Sequence, residues 1–157
     1  MIFITLGSQK MQFNRLLKEI DRLVETGALK DEIFAQIGAS DYKPQHYDYK
    51  DFIDREEFAA KTAACDIFIT HGGTGAIIGA VKQRKKVVAM PRLAKYGEHV
   101  DDHQLQLLDE FGKLGLIEVC MDETGLQGAI EKARVTEYKE YQSNTKTIID
   151  DIRQFLG

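Results

Sequence analysis

The stretch Asp66-Ile67-Phe68-Ile69-Thr70-His71-Gly72-Gly73-Thr74-Gly75 decides the fold. Its first half is a short apolar run that reads as a strand, and it passes directly into a glycine-rich turn. Residues from about Ala76 to Gln83 then continue as a helix. Upstream, Ile2 to Leu6 is an unbroken apolar run of the kind found in strands covered on both faces. It is stopped by Gly7-Ser8-Gln9, and Phe13, Leu16, Leu17, Ile20, Leu23 and Val24 follow at helical offsets as far as Thr26-Gly27. Glu32 to Ile37 reads as a second strand, and Ala39 to Lys50 as a loop with a short strand near Tyr47 to Tyr49. Arg55 to Ala64 reads as a helix. Downstream come a strand over Val87 to Met90, stopped by Pro91, a helix over Asp101 to Phe111, a strand over Gly115 to Val119 and a helix over Glu123 to Ala133. This alternation predicts an α/β chain, a Rossmann-like parallel sheet with helices on both faces.

The remaining segment, 136–157, is expected to form a C-terminal amphipathic helix separate from the 1–135 domain. Tyr138, Tyr141, Thr145, Ile148, Ile149, Ile152, Phe155 and Leu156 share its stripe, which would dock on its own domain, on a partner, or on both. The 157 residues suit one domain, so a clamp of two full domains is not contained in them. With 21 basic and 25 acidic residues the formal net charge is −4, which disfavours nucleic acid as a partner. The two cysteines, Cys65 and Cys120, lie in apolar settings and read as reduced core residues of a cytoplasmic protein. The apolar start lacks the charged region of a signal peptide, and no run is long enough to span a membrane.

Ligands of open α/β sheets bind at the carboxyl ends of the strands. Gly7 and Ser8 follow the first strand, and His71, Gly72, Gly73, Thr74 and Gly75 open the helix after the third confident strand. A helix N-terminus entered through glycines suits a phosphate, although the spacing is neither the dinucleotide fingerprint nor a Walker loop, and such turns also serve as plain strand-to-helix turns. The second cluster is Tyr96-Gly97-Glu98-His99-Val100-Asp101-Asp102-His103-Gln104. Glu98, Asp102, His103 and Gln104 could present hydroxyl-binding groups to a sugar, or an aspartate could simply cap a helix. His99 and His103 lack a third ligand at a metal-binding spacing, so no metal is expected. Lys82 to Lys86 reads as a solvated turn, whereas Arg92 and Lys95 follow Pro91 on the ligand rim and could meet a diphosphate or an anionic membrane.

Together, Phe3-Ile4-Thr5-Leu6-Gly7-Ser8-Gln9, His71-Gly72-Gly73-Thr74-Gly75, Pro91-Arg92 and Gly97-Glu98-His99-Val100-Asp101-Asp102-His103-Gln104 resemble the carboxy-terminal half of glycosyltransferase family 28. Within it, the chain is most similar to the small subunits of two-subunit bacterial transferases of exopolysaccharide and capsule synthesis. It is also similar to the small subunit of the eukaryotic dolichol-linked UDP-GlcNAc transferase. The resemblance implies the C-terminal half of a GT-B fold that binds a UDP-sugar donor, with galactose or glucuronic acid as the first expectation. It implies inverting, metal-independent and cofactor-free transfer to a lipid-linked acceptor. The acceptor would be held by a membrane-associated partner subunit, placing this chain peripherally at the inner face of the membrane; the isolated chain could also form a homo-oligomer. By position, Gly7 and Ser8 would approach the diphosphate or sugar, Gly72 to Gly75 would hold the α-phosphate, and Asp102, His103 and Gln104 would meet the sugar or ribose. The general base would sit on the partner, His71 being the sole internal candidate. The chain departs from the wider family at Gly79, where an acidic residue would grip the ribose. The contrasting expectation is a non-catalytic accessory module; a self-sufficient epimerase or hydrolase would need a second domain.

Overall fold

A computed structural model of the chain describes residues 1–7, 10–99 and 103–142. Six parallel strands, β1 (Ile2–Thr5), β2 (Ile33–Gln36), β3 (Asp48–Lys50), β4 (Ile67–Thr70), β5 (Lys86–Ala89) and β6 (Glu118–Val119), form one open sheet in the order β3-β2-β1-β4-β5-β6. The helices between them are α1 (Asn14–Glu25), α2 (Arg55–Ala64), α3 (Thr74–Lys82), α4 (His103–Lys113) and α5 (Leu126–Val135), with single 3-10 turns at Ala94–Tyr96 and Glu123–Gly125. The Rossmann-like class read from the alternation is the observed one.

Alternation along each strand feeds two apolar layers. Ile2, Ile4, Ile67, Ile69 and Val88 point to one face, where Leu16, Leu17, Ile20 and Leu23 of α1 and Leu126 and Ile130 of α5 cover them. Phe3, Phe68, Val87 and Ala89 point to the other, under Ile77 and Val81 of α3 and Leu108 and Phe111 of α4. Phe3 packs edge-on against Phe68, ring centroids 5.6 Å apart, and against Phe58 of α2 at 5.3 Å. Full burial of such a side chain contributes about 1.5–3 kcal/mol, so both layers are needed to hold the sheet.

The expected C-terminal helix does not begin where its stripe begins. Residues 136–142 run without helix, and the rest of the stripe lies outside the described residues. Side-chain anchors hold this stretch extended across the amino ends of the strands. The Tyr138 hydroxyl donates to Glu118 at 2.8 Å, Lys139 N–H to the Gly115 carbonyl at 2.9 Å, and Arg84 pairs with Glu140 at 3.2 Å. Lys86 Nζ donates to the Thr136 carbonyl, and the Lys82 ammonium lies 4.9 Å from the Tyr141 ring centroid. The basic turn Lys82 to Lys86 is thus the anchorage of the tail more than a solvated bend. No helix among the described residues is long and apolar enough to cross a membrane.

Candidate functional site

The strand order reverses direction between β1 and β4, since the chain leaves β1 for α1 on one face and β4 for α3 on the other. A crevice opens at the carboxyl ends of such a pair, where open α/β sheets receive ligands. Gly7 stands at the end of β1 with φ +70, a left-handed conformation that a side chain would strain. His71, Gly72 and Gly73 stand at the end of β4. Thr70 Oγ1 donates to the Thr5 carbonyl at 2.8 Å and ties the two strand ends together.

The three glycines serve packing first. A Cβ on Gly7 would lie 3.0 Å from His71 Nε2, and one on Gly73 only 2.7 Å from the same ring. A Cβ on Gly72 would lie 2.6 Å from Gln104 Cβ. His71 is therefore sandwiched between two glycines, and Gln104 rests on a third. Gly75 is different: it is exposed, and a Cβ there would meet nothing within 4 Å.

Helix α3 opens directly over this turn. Its cap residue is Gly73, whose carbonyl accepts from Ile77 N–H at 3.2 Å and which has no side chain to cap the first N–H groups. Helix start N–H groups lack intrahelical partners and carry the positive end of the helix dipole. Beside them, His71 is 4% exposed, and its Nδ1 is a buried nitrogen without a hydrogen-bond partner among the described residues. Burial pulls the imidazole pKa down to about 3; the nearby Arg92 charge adds to the pull, and a hydrogen bond with Gln104 opposes it. A buried, neutral imidazole that resists protonation is a poor general base. The expectation of His71 as internal base is corrected accordingly.

Two further expectations fall. Arg92 is 1% exposed and does not face the rim. Its guanidinium donates to the carbonyls of Leu6 at 2.8 Å, Met11 at 2.7 Å, Gln12 at 3.3 Å and Glu98 at 3.3 Å, while its side chain lies over the Phe13 ring. Those donors are spent within the protein. Glu98 is also 1% exposed. Its carboxylate accepts two bonds from Arg15, both at 3.0 Å, and one from Leu93 N–H, also at 3.0 Å, so it presents nothing to a sugar. Arg92 braces the loop between β5 and α4 against the loop between β1 and α1, and Glu98 braces it against α1.

Gln104, in the first turn of α4, is nearly as enclosed. Its Oε1 accepts from Gly72 N–H at 3.3 Å and from Arg92 N–H at 3.2 Å, joining the two motifs that stand far apart in sequence. His103, one residue earlier, is exposed beside it, and Thr74 is half-buried at the start of α3. Ser8 and Asp102 lie outside the described residues. The structure thus brings together Gly7, His71 to Gly75, His103 and Gln104, and withdraws Arg92 and Glu98 from the solvent side. Among the described residues no three His, Cys, Asp or Glu side chains gather in a cluster fit for a metal ion.

Sequence reading missed Arg15 and Gln36. Arg15, on α1, bridges Glu98 and Glu123, the latter at 2.7 Å, donates to the Pro91 carbonyl at 3.2 Å and stacks over Tyr96 at 4.5 Å. Gln36 donates to the Gly7 carbonyl at 3.4 Å and accepts from Ile53 N–H at 3.3 Å. Neither carried a signal, because each meets partners remote in sequence.

The glycosyltransferase family 28 C-terminal domain matches residues 1–155. No curated protein matches. Among solved structures, the solution structure of ALG13 superposes with a TM-score of 0.62 at 16% identity, over 96% of this chain and 93% of that one. The glycosyltransferase of kitacinnamycin superposes with a TM-score of 0.61 at 17% identity, over 99% of this chain but 38% of that one. At such identities these two similarities speak to fold alone.

Proposed function

The chain belongs to glycosyltransferase family 28, as its C-terminal domain, and from that premise we propose that it binds the UDP-sugar donor of an inverting, metal-independent transferase whose acceptor half is a second, membrane-associated chain. The observation that carries this reading is the turn at the end of β4. There the uncapped start of α3 and the unpartnered, buried Nδ1 of His71 meet at one point of the switch crevice. A diphosphate oxygen is an acceptor to which the helix-start N–H groups, and Nδ1–H of the imidazole, would donate. Gly73, Thr74 and Gly75 would lie against the phosphates, with Gly7 across the crevice and Ser8 beside it. His103, with Asp102 before it, would reach the sugar or ribose hydroxyls. His71 then orients the leaving diphosphate through a hydrogen bond from its neutral ring and takes no proton from the acceptor.

Chemically the arrangement stabilises a leaving group. As the glycosidic bond to the donor phosphate breaks, negative charge grows on UDP, and fixed dipoles aimed there lower the barrier. The general base belongs, on this reading, to the partner chain, and His103 is kept as a donor-sugar ligand. Exopolysaccharide or capsule synthesis, a lipid-linked acceptor, and galactose or glucuronic acid as the transferred sugar belong to this proposal through the sequence resemblance. So does a peripheral place at the inner face of the membrane.

The test is a transfer assay on the chain co-purified with its partner, using a panel of UDP-sugars. Transfer should require both chains and fall when His103→Ala is introduced. Full transfer by the isolated chain would contradict the half-enzyme reading. Unchanged transfer in the His103→Ala complex would favour the accessory module, for which Gly79 in place of an acidic ribose ligand is the specific support.

A further inference from the structure

Among the described residues Arg92 is the largest side chain buried almost completely, and its environment is unusual for a cation. Among the described residues it forms no ion pair, because the carboxylate of Glu98 is turned to Arg15 and only the Glu98 carbonyl faces Arg92. Its acceptors are four backbone carbonyls from three segments: the end of β1, the β1–α1 loop, and the β5–α4 loop. Its Nε has no partner among the described residues. Burying a charge without a paired counter-charge is costly, and a methionine would fill the same space without that cost.

Burial lowers the guanidinium pKa to about 10, with Glu98 opposing, so it stays charged at neutral pH. The charge is felt at the rim, since it is the second cause, after burial, of the depressed His71 pKa. The Leu6 carbonyl it holds immediately precedes Gly7, and its own N–H is held by the same Gln104 oxygen that accepts from Gly72. One buried cation is thereby fixed to both halves of the crevice.

We propose that Arg92 is a positioning residue for an anionic ligand: it sets the shape of the β1–α1 loop that carries Gly7 and holds a buried positive charge, without an ion pair among the described residues, close behind the diphosphate subsite. The proposal rests on the donor reading above. It goes further by assigning a role to a residue that touches no ligand.

The full chain carrying Arg92→Met or Arg92→Lys is compared with the unmodified chain for binding of UDP and of uridine by NMR titration, alongside amide exchange at Gly7 and Lys10 to Gln12. The folded Arg92→Met chain should lose about tenfold or more in UDP affinity, while uridine affinity changes less than about twofold. Exchange at the loop amides should accelerate in both variants, and Arg92→Lys, which keeps the charge, should recover part of the UDP affinity. Should Arg92→Met fail to fold, the lysine variant carries the comparison, with faster loop exchange and a loss confined to UDP. Equal losses for UDP and uridine, or unchanged UDP binding in a folded variant, would overturn the positioning role. An unmodified chain that binds neither probe would overturn the donor reading and this inference with it.

Discussion

At the scale of single residues, burial separates the groups that resemble one another in sequence. Glu98 and His103 both lie in the run Gly97 to Gln104 and both read as sugar ligands, yet one is enclosed and the other exposed. A sequence can show that a glutamate follows a strand; it cannot show that Arg15, 83 positions away, will close over it. Glu98→Ala leaves Arg15 its bond to Glu123 but removes the buried carboxylate that accepts from Arg15 and Leu93 N–H. It should lower the unfolding free energy in urea by about 1.5–3 kcal/mol, whereas a carboxylate serving only as a ligand would leave stability unchanged. His71 gives a pH signature of its own. In the unfolded chain its imidazole takes up a proton near pH 6.5, and in the folded chain only near 3. Between those values the unfolded state holds one more proton, so stability is complete above about pH 6.5 and is lost as pH falls toward 3, at up to about 1.4 kcal/mol per unit. His71→Gln should flatten that part of the stability profile, read by denaturant midpoints from pH 7 to pH 4. An unaltered slope would mean the imidazole is not the group responsible.

At the scale of elements, apolar periodicity carried most of the information. The strand Ile67–Thr70 and the amphipathic α1 lie where the pattern of apolar residues placed them, because each buries the face that its periodicity defines. The tail departs because its stripe, beginning at Tyr138, is equally usable by an extended chain once Glu118, Lys86 and Gly115 offer bonds to it. Such anchors are tertiary and leave no periodic trace. Helix α3 invites a direct test. Gly79 is exposed on it, and a Cβ there meets nothing within 4 Å. Gly79→Ala should stabilise the helix by about 0.5–1 kcal/mol without changing ligand affinity. Gly79→Glu restores the acidic residue that the family resemblance implies at this place and should raise UDP affinity by about tenfold through ribose hydrogen bonds to a charged group. Equal UDP affinities in the alanine and glutamate variants would show that the ribose is held elsewhere.

At the scale of the whole molecule, the chain is one open parallel sheet with a switch point between β1 and β4 and its tail laid along the opposite edge. The glycine-rich turn after β4 and the Gly7 turn after β1 were legible as neighbours because parallel topology brings the carboxyl ends of strands together. Their dependence on Gln104, Arg92 and Arg15 was not, since it arises from loops that meet only in the folded chain. The basic residues at the amino edge are committed to that edge: Lys85 donates to the carbonyls of Ala63 and Cys65 at 2.8 and 3.0 Å, and Arg84 to Glu140. The function proposed above puts the anionic donor at the crevice instead. The most direct measurement is a nitrogen-15 amide titration of the chain with UDP. The account predicts that shifts concentrate at Gly7, Gly72 to Gly75 and His103, on the start of α3 and the opposing turn, and spare Arg84 to Lys86. Saturable shifts centred on Arg84 to Lys86, or no shifts at millimolar UDP, would contradict it.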